Sequence, residues 1–234
     1  MSISKIIIGL TLSLLLGSSV AIAADFGRGL EAKNSGDFKT ALAEWIPLAE
    51  QDNAMAQFNL GHMYANGYGV PENDKTAVKW FTKAAEQGLA EGQFNLGAMY
   101  DLGDGVPEND KTAVKWYTLA AEQGYAHAQF NLGTMYANGR GVPENDKTAV
   151  KWYTLAAAQG YAMAQRYLGA MYDFGDGVPE NDKTAVKWYN LASYNGNESG
   201  GENKDKIAKD MTSAQIDKAQ DMSSRCLDSG YTDC

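Results

Sequence analysis

Few side chains in this sequence could carry chemistry, and their spacing limits what that chemistry could be. There are two histidines, His62 and His127. A hydrolase triad needs an imidazole between a nucleophile and an acid. These two stand at different places in a repeated pattern, where their counterparts include Ala98 and Met55, so each reads as a surface side chain. A serine acylation site of the β-lactam kind needs a lysine three residues after the serine. The only such pair is Ser2 and Lys5, inside an apolar N-terminal run. Lys-Thr recurs along the chain, but Ala follows it, not Gly. Two acidic glycine loops, 101–105 and 173–177, hint at calcium. They lack the alternating acids and closing bidentate Glu of a tight site. No strand precedes them, as a phosphate loop of the nucleotide-binding kind would require. Two Cys and two distant His do not make a zinc set. No catalytic, cofactor or metal residue is expected.

Cys226 and Cys234 lie close together near the C-terminal end of the sequence. They read as one disulfide, the alternative being two inert thiols. The N-terminus sets the compartment. Lys5, an apolar run from Ile6 to Leu16, and Ala21-Ile22-Ala23 have the order of a signal peptide, residues 1–23, cleaved before Ala24. An uncleaved anchor is the alternative. Export means an oxidising surrounding, periplasmic or extracellular, where a disulfide persists. The formal charge is −9, and becomes −10 once Lys5 is removed. That balance excludes nucleic acid as a main partner, and no stable membrane insertion is expected after cleavage. One feature runs the other way. Lys75 and Lys79, Lys111 and Lys115, Lys147 and Lys151, and Lys183 and Lys187 form a basic stripe. It reads as a solvated face or as a site for an acidic ligand.

These residues are positioned by a repeat. Gly-Val-Pro-Glu-Asn-Asp-Lys-Thr-Ala-Val-Lys-Trp occurs unchanged from Gly69, Gly105, Gly141 and Gly177, a period of 36 residues. Gln57, Gln93, Gln129 and Gln165 keep the same register, as do Tyr64, Tyr100, Tyr136 and Tyr172. Each unit reads as two helices. In the first, residues 53–66, Ala56, Leu60, Met63 and Tyr64 share one face. Gly67 and Gly69 end it, and Pro71 keeps Val70 extended. Asp74 is the expected cap of the second helix, which buries Ala77, Val78, Trp80, Phe81, Ala84 and Ala85 and stops at Gly88. The tryptophans at 80, 116, 152 and 188 read as core or as spacers between repeats. The fold class is therefore all-α, an α-solenoid of antiparallel helix pairs. Four repeats, 53–196, lie between N-terminal capping helices at 24–52 and C-terminal capping helices at 197–234 with the disulfide. Pro47 should kink the cap helix at 37–51. Residues 197–203 are rich in Gly and Asn and should be loose, with short helices at 204–209 and 213–226 after them.

The motifs Leu60-Gly61-His62-Met63-Tyr64, Gly67-Tyr68-Gly69-Val70, Ala77-Val78-Lys79-Trp80-Phe81 and Ala84-Ala85-Glu86-Gln87-Gly88 recur three more times. The pattern resembles the Sel-one-like repeat (SLR) family, relatives of the tetratricopeptide repeats, over about residues 37–196. That resemblance implies a right-handed solenoid and an adaptor or scaffold role in protein complexes, often in exported bacterial proteins. Cysteine-rich relatives associated with β-lactam binding or hydrolysis carry a disulfide in each repeat, whereas no repeat here contains Cys.

The expected function is an exported protein–protein interaction module that binds a peptide or protein along a concave groove. A cell-wall or β-lactam enzyme and a secreted host-interaction factor are the alternatives. Positions equivalent to 55, 59, 62 and 66 form one stripe on the first helix of each pair. They read Met55, Asn59, His62, Asn66; Glu91, Asn95, Ala98, Leu102; His127, Asn131, Thr134, Asn138; and Met163, Tyr167, Ala170, Phe174. Asn59, Asn95 and Asn131 form a ladder of amides, which can both donate to and accept from a peptide backbone. Otherwise those amides bond between neighbouring repeats. His62, Leu102, Thr134 and Asn138 border the ladder, and Tyr167 and Phe174 add an apolar anchor.

Overall fold

The structure, a computed structural model, describes residues 24–234. The expected signal peptide lies outside the described residues. Among the described residues every regular element is helical. An N-terminal pair, α1 (Phe26–Asn34) and α2 (Phe38–Glu50), precedes four repeat pairs. These are α3 (Ala54–Asn66) with α4 (Asp74–Glu86), α5 (Ala90–Leu102) with α6 (Asp110–Glu122), α7 (Ala126–Ala137) with α8 (Asp146–Ala157), and α9 (Ala162–Phe174) with α10 (Asp182–Tyr194). A last pair, α11 (Glu198–Ile207) and α12 (Ser213–Asp228), closes the array, joined through one 3-10 turn at Ala208–Asp210. No described helix is long and apolar enough to cross a membrane.

The repeated loop sets the entry to every second helix. Asn73, Asn109, Asn145 and Asn181 are extended, and their side chains accept from the N–H of Thr76, Thr112, Thr148 and Thr184. Asn73 is thus the cap, one residue before the expected Asp74. Asp74 instead begins the helix, where its charge faces the positive end of the helix dipole. Gly105 and Gly141 explain why glycine recurs in this loop. Their φ is +69° and +70°, and a Cβ would lie 2.5 Å from the backbone carbon of Asp74 or Asp110 in the preceding repeat.

Burial is shared between neighbouring units. Ala113, Tyr117, Ala120 and Ala121 of α6 form one buried cluster with Ala128, Leu132 and Met135 of α7. Gly61, Gly97, Gly133 and Gly169 let paired helices approach, with Phe81, Tyr117, Tyr153 and Tyr189 lying across them. Trp80, Trp116 and Trp152 are half-buried and pack against adjacent clusters. Trp188 is buried because the C-terminal pair covers it.

The aligned glutamines tie the stack together. Each is buried and donates to a carbonyl near the end of the preceding helix: Gln57 to Ala49, Gln93 to Ala85, Gln129 to Ala121, Gln165 to Ala157. Each also accepts from the amide 30 residues on: Gln87, Gln123, Gln159 and Asn195. One side chain thereby links three helices.

The caps depart from the expected detail. Residues 197–203 are not loose, since all but Asn197 belong to α11. Asn197 caps that helix, and Gly200 sits where a Cβ would come within 2.8 Å of Ala192. Glycine here permits close helix contact, as Gly92 does against Ala84. Helix α2 continues through Pro47 to Glu50. The carbonyl deprived of a partner is that of exposed Ala43, which water can satisfy. Buried Trp45 donates to the Phe26 carbonyl, and Glu44 accepts from the Asp25 N–H and pairs with Arg28. At the other end Cys226 and Cys234 are joined, with Cα atoms 4.7 Å apart.

Candidate functional site

The first helices of the repeats present one continuous face, and its chemistry changes along the array. The amides of the Asn ladder are turned inward. Asn59 is only 5% exposed, and its Nδ2 donates to the Met55 carbonyl at 2.8 Å. Asn95 does the same to Glu91 at 2.8 Å. These donors bond one turn back on their own helix, neither across to the next repeat nor out to solvent. Asn138 follows the same rule with Thr134. Asn131 is half-buried and faces the Tyr117 hydroxyl.

Two cavities open on this face. Asn59 and His62 line the first, about 430 Å³, with Lys33, Phe58, Met63, Asn66 and Tyr68. His62 sits edge-on to Phe58 and Phe81, with centroids 4.8 and 5.6 Å away. Burial, then nearby Lys33, holds its pKa below the usual histidine value. Asn131, Thr134 and Tyr167 line the second, about 200 Å³, with Phe130, Met135, Met163, Asp101 and Arg140. Thr134 shares a hydrogen bond with the Tyr153 hydroxyl at 3.1 Å. Leu102 and Phe174, 69% and 71% exposed, stand at the ends of α5 and α9.

Between these positions lies a feature the sequence reading missed. Phe94, Tyr125, His127, Tyr161, Phe130, Tyr167 and Tyr153 form an unbroken chain of ring contacts, with centroids 4.7–5.9 Å apart. All but Tyr153 are exposed or half-buried. Tyr125 and Tyr161 stand immediately before α7 and α9 and make no side-chain cap bond. Their counterparts are Asn53 and Leu89. That variability at a cap position was the available signal. The aromatic face spans the second to fourth repeats.

Arg140 marks a second junction. Its Nη2 lies 2.7 Å from Asp101 Oδ1, 2.6 Å from Asp110 Oδ1 and 3.9 Å from Glu108. The first acidic loop thus holds a guanidinium. Among the described residues no group of three or more His, Cys, Asp and Glu is arranged to hold a metal ion. The lysine stripe divides. Lys75, Lys79, Lys111, Lys115, Lys147 and Lys151 are exposed, whereas Lys187 is buried and donates to the Cys234 carbonyl at 2.6 Å. Burial pulls its pKa down to about 8.

The four units match the Sel1 repeat model over residues 54–89, 90–125, 126–161 and 162–197. The chain belongs to the Sel1 repeat family. Among solved structures, a Sel1 repeat protein from Oxalobacter formigenes is 36% identical, with a TM-score of 0.71 over 75% of this chain and 72% of that one. A protective antigen present in uropathogenic Escherichia coli strains, displaying an SLR fold, is 31% identical with a TM-score of 0.52. That match covers 81% of this chain and 48% of the antigen, so this Sel1 chain spans about half of that relative. A putative Sel1 repeat protein from Klebsiella pneumoniae, 24% identical over 77% of this chain and 89% of that one, with a TM-score of 0.50, shares the fold. No curated protein sequence matches significantly. The Sel1 solenoid is a general scaffold for protein interaction, built here from stacked pairs whose first helices form an exposed face.

Proposed function

We propose that this Sel1 array is an exported scaffold that holds a segment of another protein along its first-helix face, without catalysis. The observation that carries the reading is the aromatic chain from Phe94 to Tyr167. Tyrosine supplies large, stiff contact area with a polar tip, and aromatic residues dominate the energetic centres of interfaces. Asn131, Thr134 and Asn138 border it as polar contacts, and Leu102 and Phe174 flank it as apolar ones. Asn59, His62 and Asn95 extend the same face toward the N-terminal pair. Stacked helix pairs curve into a long surface suited to such a segment. The signal-like N-terminus and the disulfide support a periplasmic or secreted location.

Cross-linking capture from the native envelope and culture medium tests the reading. The Tyr161→Ala, Tyr167→Ala double variant should lose the partner that the native protein captures, while circular dichroism shows its helices intact. A folded double variant that still captures the partner in full overturns it.

A further inference from the structure

The structure assigns a receptor for one partner arginine to Asp173, Glu180 and Asp182 of the fourth repeat. This rests on the scaffold reading above and names one side chain the held segment brings.

The argument comes from an occupied copy of the same site two repeats earlier. Asp101, Glu108 and Asp110 surround the guanidinium of Arg140, which enters from the loop of the following repeat. Adding 72 to each number gives Asp173, Glu180 and Asp182. The first and third repeats cannot form the trio, because Ala65 and Ala137 replace the first acid. The two sites match beyond the carboxylates. Tyr117 donates its hydroxyl to Asp101 Oδ2 at 3.2 Å, and Tyr189 donates to Asp173 Oδ2 at 3.3 Å. Asn131 faces the first hydroxyl and Asn203 the second.

The fourth repeat lacks the cation. The residue in register with Arg140 is Thr212, whose hydroxyl is spent capping α12. Among the described residues no cation lies within 4.0 Å of Asp173, Glu180 or Asp182. Arg166 influences the Tyr189 hydroxyl, but its guanidinium stacks 4.3 Å over Tyr167. Burial, followed by the charges of Asp182 and Glu180, raises the Asp173 pKa against the lowering effect of the Tyr189 bond, the behaviour of carboxylates that share a site without a counter-charge. Glu180 is exposed and Asp173 and Asp182 are half-buried, so a side chain from outside can reach them. The flat fork of a guanidinium suits two converging carboxylates better than a lysine ammonium does. Phe174, beside Asp173 in the sequence, is 71% exposed.

Titration of the isotope-labelled exported chain with Nα-acetyl-arginine amide, followed by NMR, tests the assignment. Saturable shifts are expected at residues 173, 180, 182 and 189, and none at Asp101. Asp182→Asn should weaken binding about tenfold, the loss of one charge-assisted contact. Arg140→Ala should open a second set of shifts at 101, 108 and 110. Nα-acetyl-citrulline amide, which has the shape without the charge, should give no saturation. The inference is overturned if the fourth repeat shows no saturable shift, if the citrulline or lysine analogue binds equally well, or if Asp182→Asn changes nothing. It is also overturned if free arginine binds more tightly than the amide, which would assign the pocket to a small molecule. The probe reads this pocket without the aromatic face. Failure here with partner capture preserved refutes only the arginine site, and lost capture with normal titration refutes only the groove partner.

Discussion

Gln129→Leu isolates the contribution of the glutamine ladder. Gln129 is 4% exposed, donates to the Ala121 carbonyl at 3.1 Å, and accepts from Gln159 at 2.8 Å. Leucine has similar volume, so little cavity is made and the lost bonds dominate. Neither former partner becomes a buried orphan. The Ala121 carbonyl still accepts from the Gly124 N–H at 3.0 Å, and Gln159 is exposed and retains the Gly124 carbonyl. The cost is therefore two ordinary hydrogen bonds without a desolvation penalty, about 2 kcal/mol in all. For a chain of this size each kcal/mol lowers Tm by roughly 2–4 °C, so a drop of about 4–8 °C is expected in a thermal scan by circular dichroism. Gln159→Ala removes the donor to both the Gly124 carbonyl and the buried Gln129 Oε1, which is left without its partner, and should cost about 1–3 kcal/mol. The double variant should fall short of the sum, because the two side chains share a bond. A Gln129→Leu protein within about 0.5 kcal/mol of the native one would show that the ladder sets register without stabilising the stack.

Two further outcomes follow from burial elsewhere in the array. Gly97→Ala would place a Cβ 2.8 Å from the Tyr117 ring and should cost about 1–3 kcal/mol by overpacking. Urea unfolding should show Tyr117→Leu relieving part of that cost in the double variant, and purely additive losses would place the strain elsewhere. Lys187 has its pKa lowered to about 8 from 10.5 by burial. Between those values the folded state has released this proton and the unfolded state has kept it, so the Lys187 contribution to stability rises with pH across that window. Urea unfolding from about pH 7 to pH 10 should show the native protein gaining on Lys187→Met, and a constant difference between the two would refute it.

The period of 36, the two helices in each unit, the glycine that ends the first and the atypical ends were all legible in the amino-acid sequence. Each depends on residues within a turn or two of one another, or on a pattern that repeats in register. Cys226 and Cys234 were legible because only seven residues lie between them. What lay between repeats was not. Gln57, Gln93, Gln129 and Gln165 were visible as an aligned column, but their partners lie eight residues before and 30 residues after. Asn73 displaced Asp74 as cap through a one-residue difference in backbone conformation that both side chains could accept. Gly200 looked like a helix breaker until the approach of α10 gave it a packing role. The Asn ladder lay on the expected face, yet two of its donors turned back to the carbonyl one turn earlier, which stripe geometry does not reveal. Tyr125 and Tyr161 joined the aromatic face, and Arg140 met Asp101 across 39 residues, only because one helix pair stacks on the next. Local spacing determines which residues share a helix face. The stacking of one pair on the next, where Gly92 meets Ala84 and Gly105 meets the Asp74 backbone, determines which faces meet.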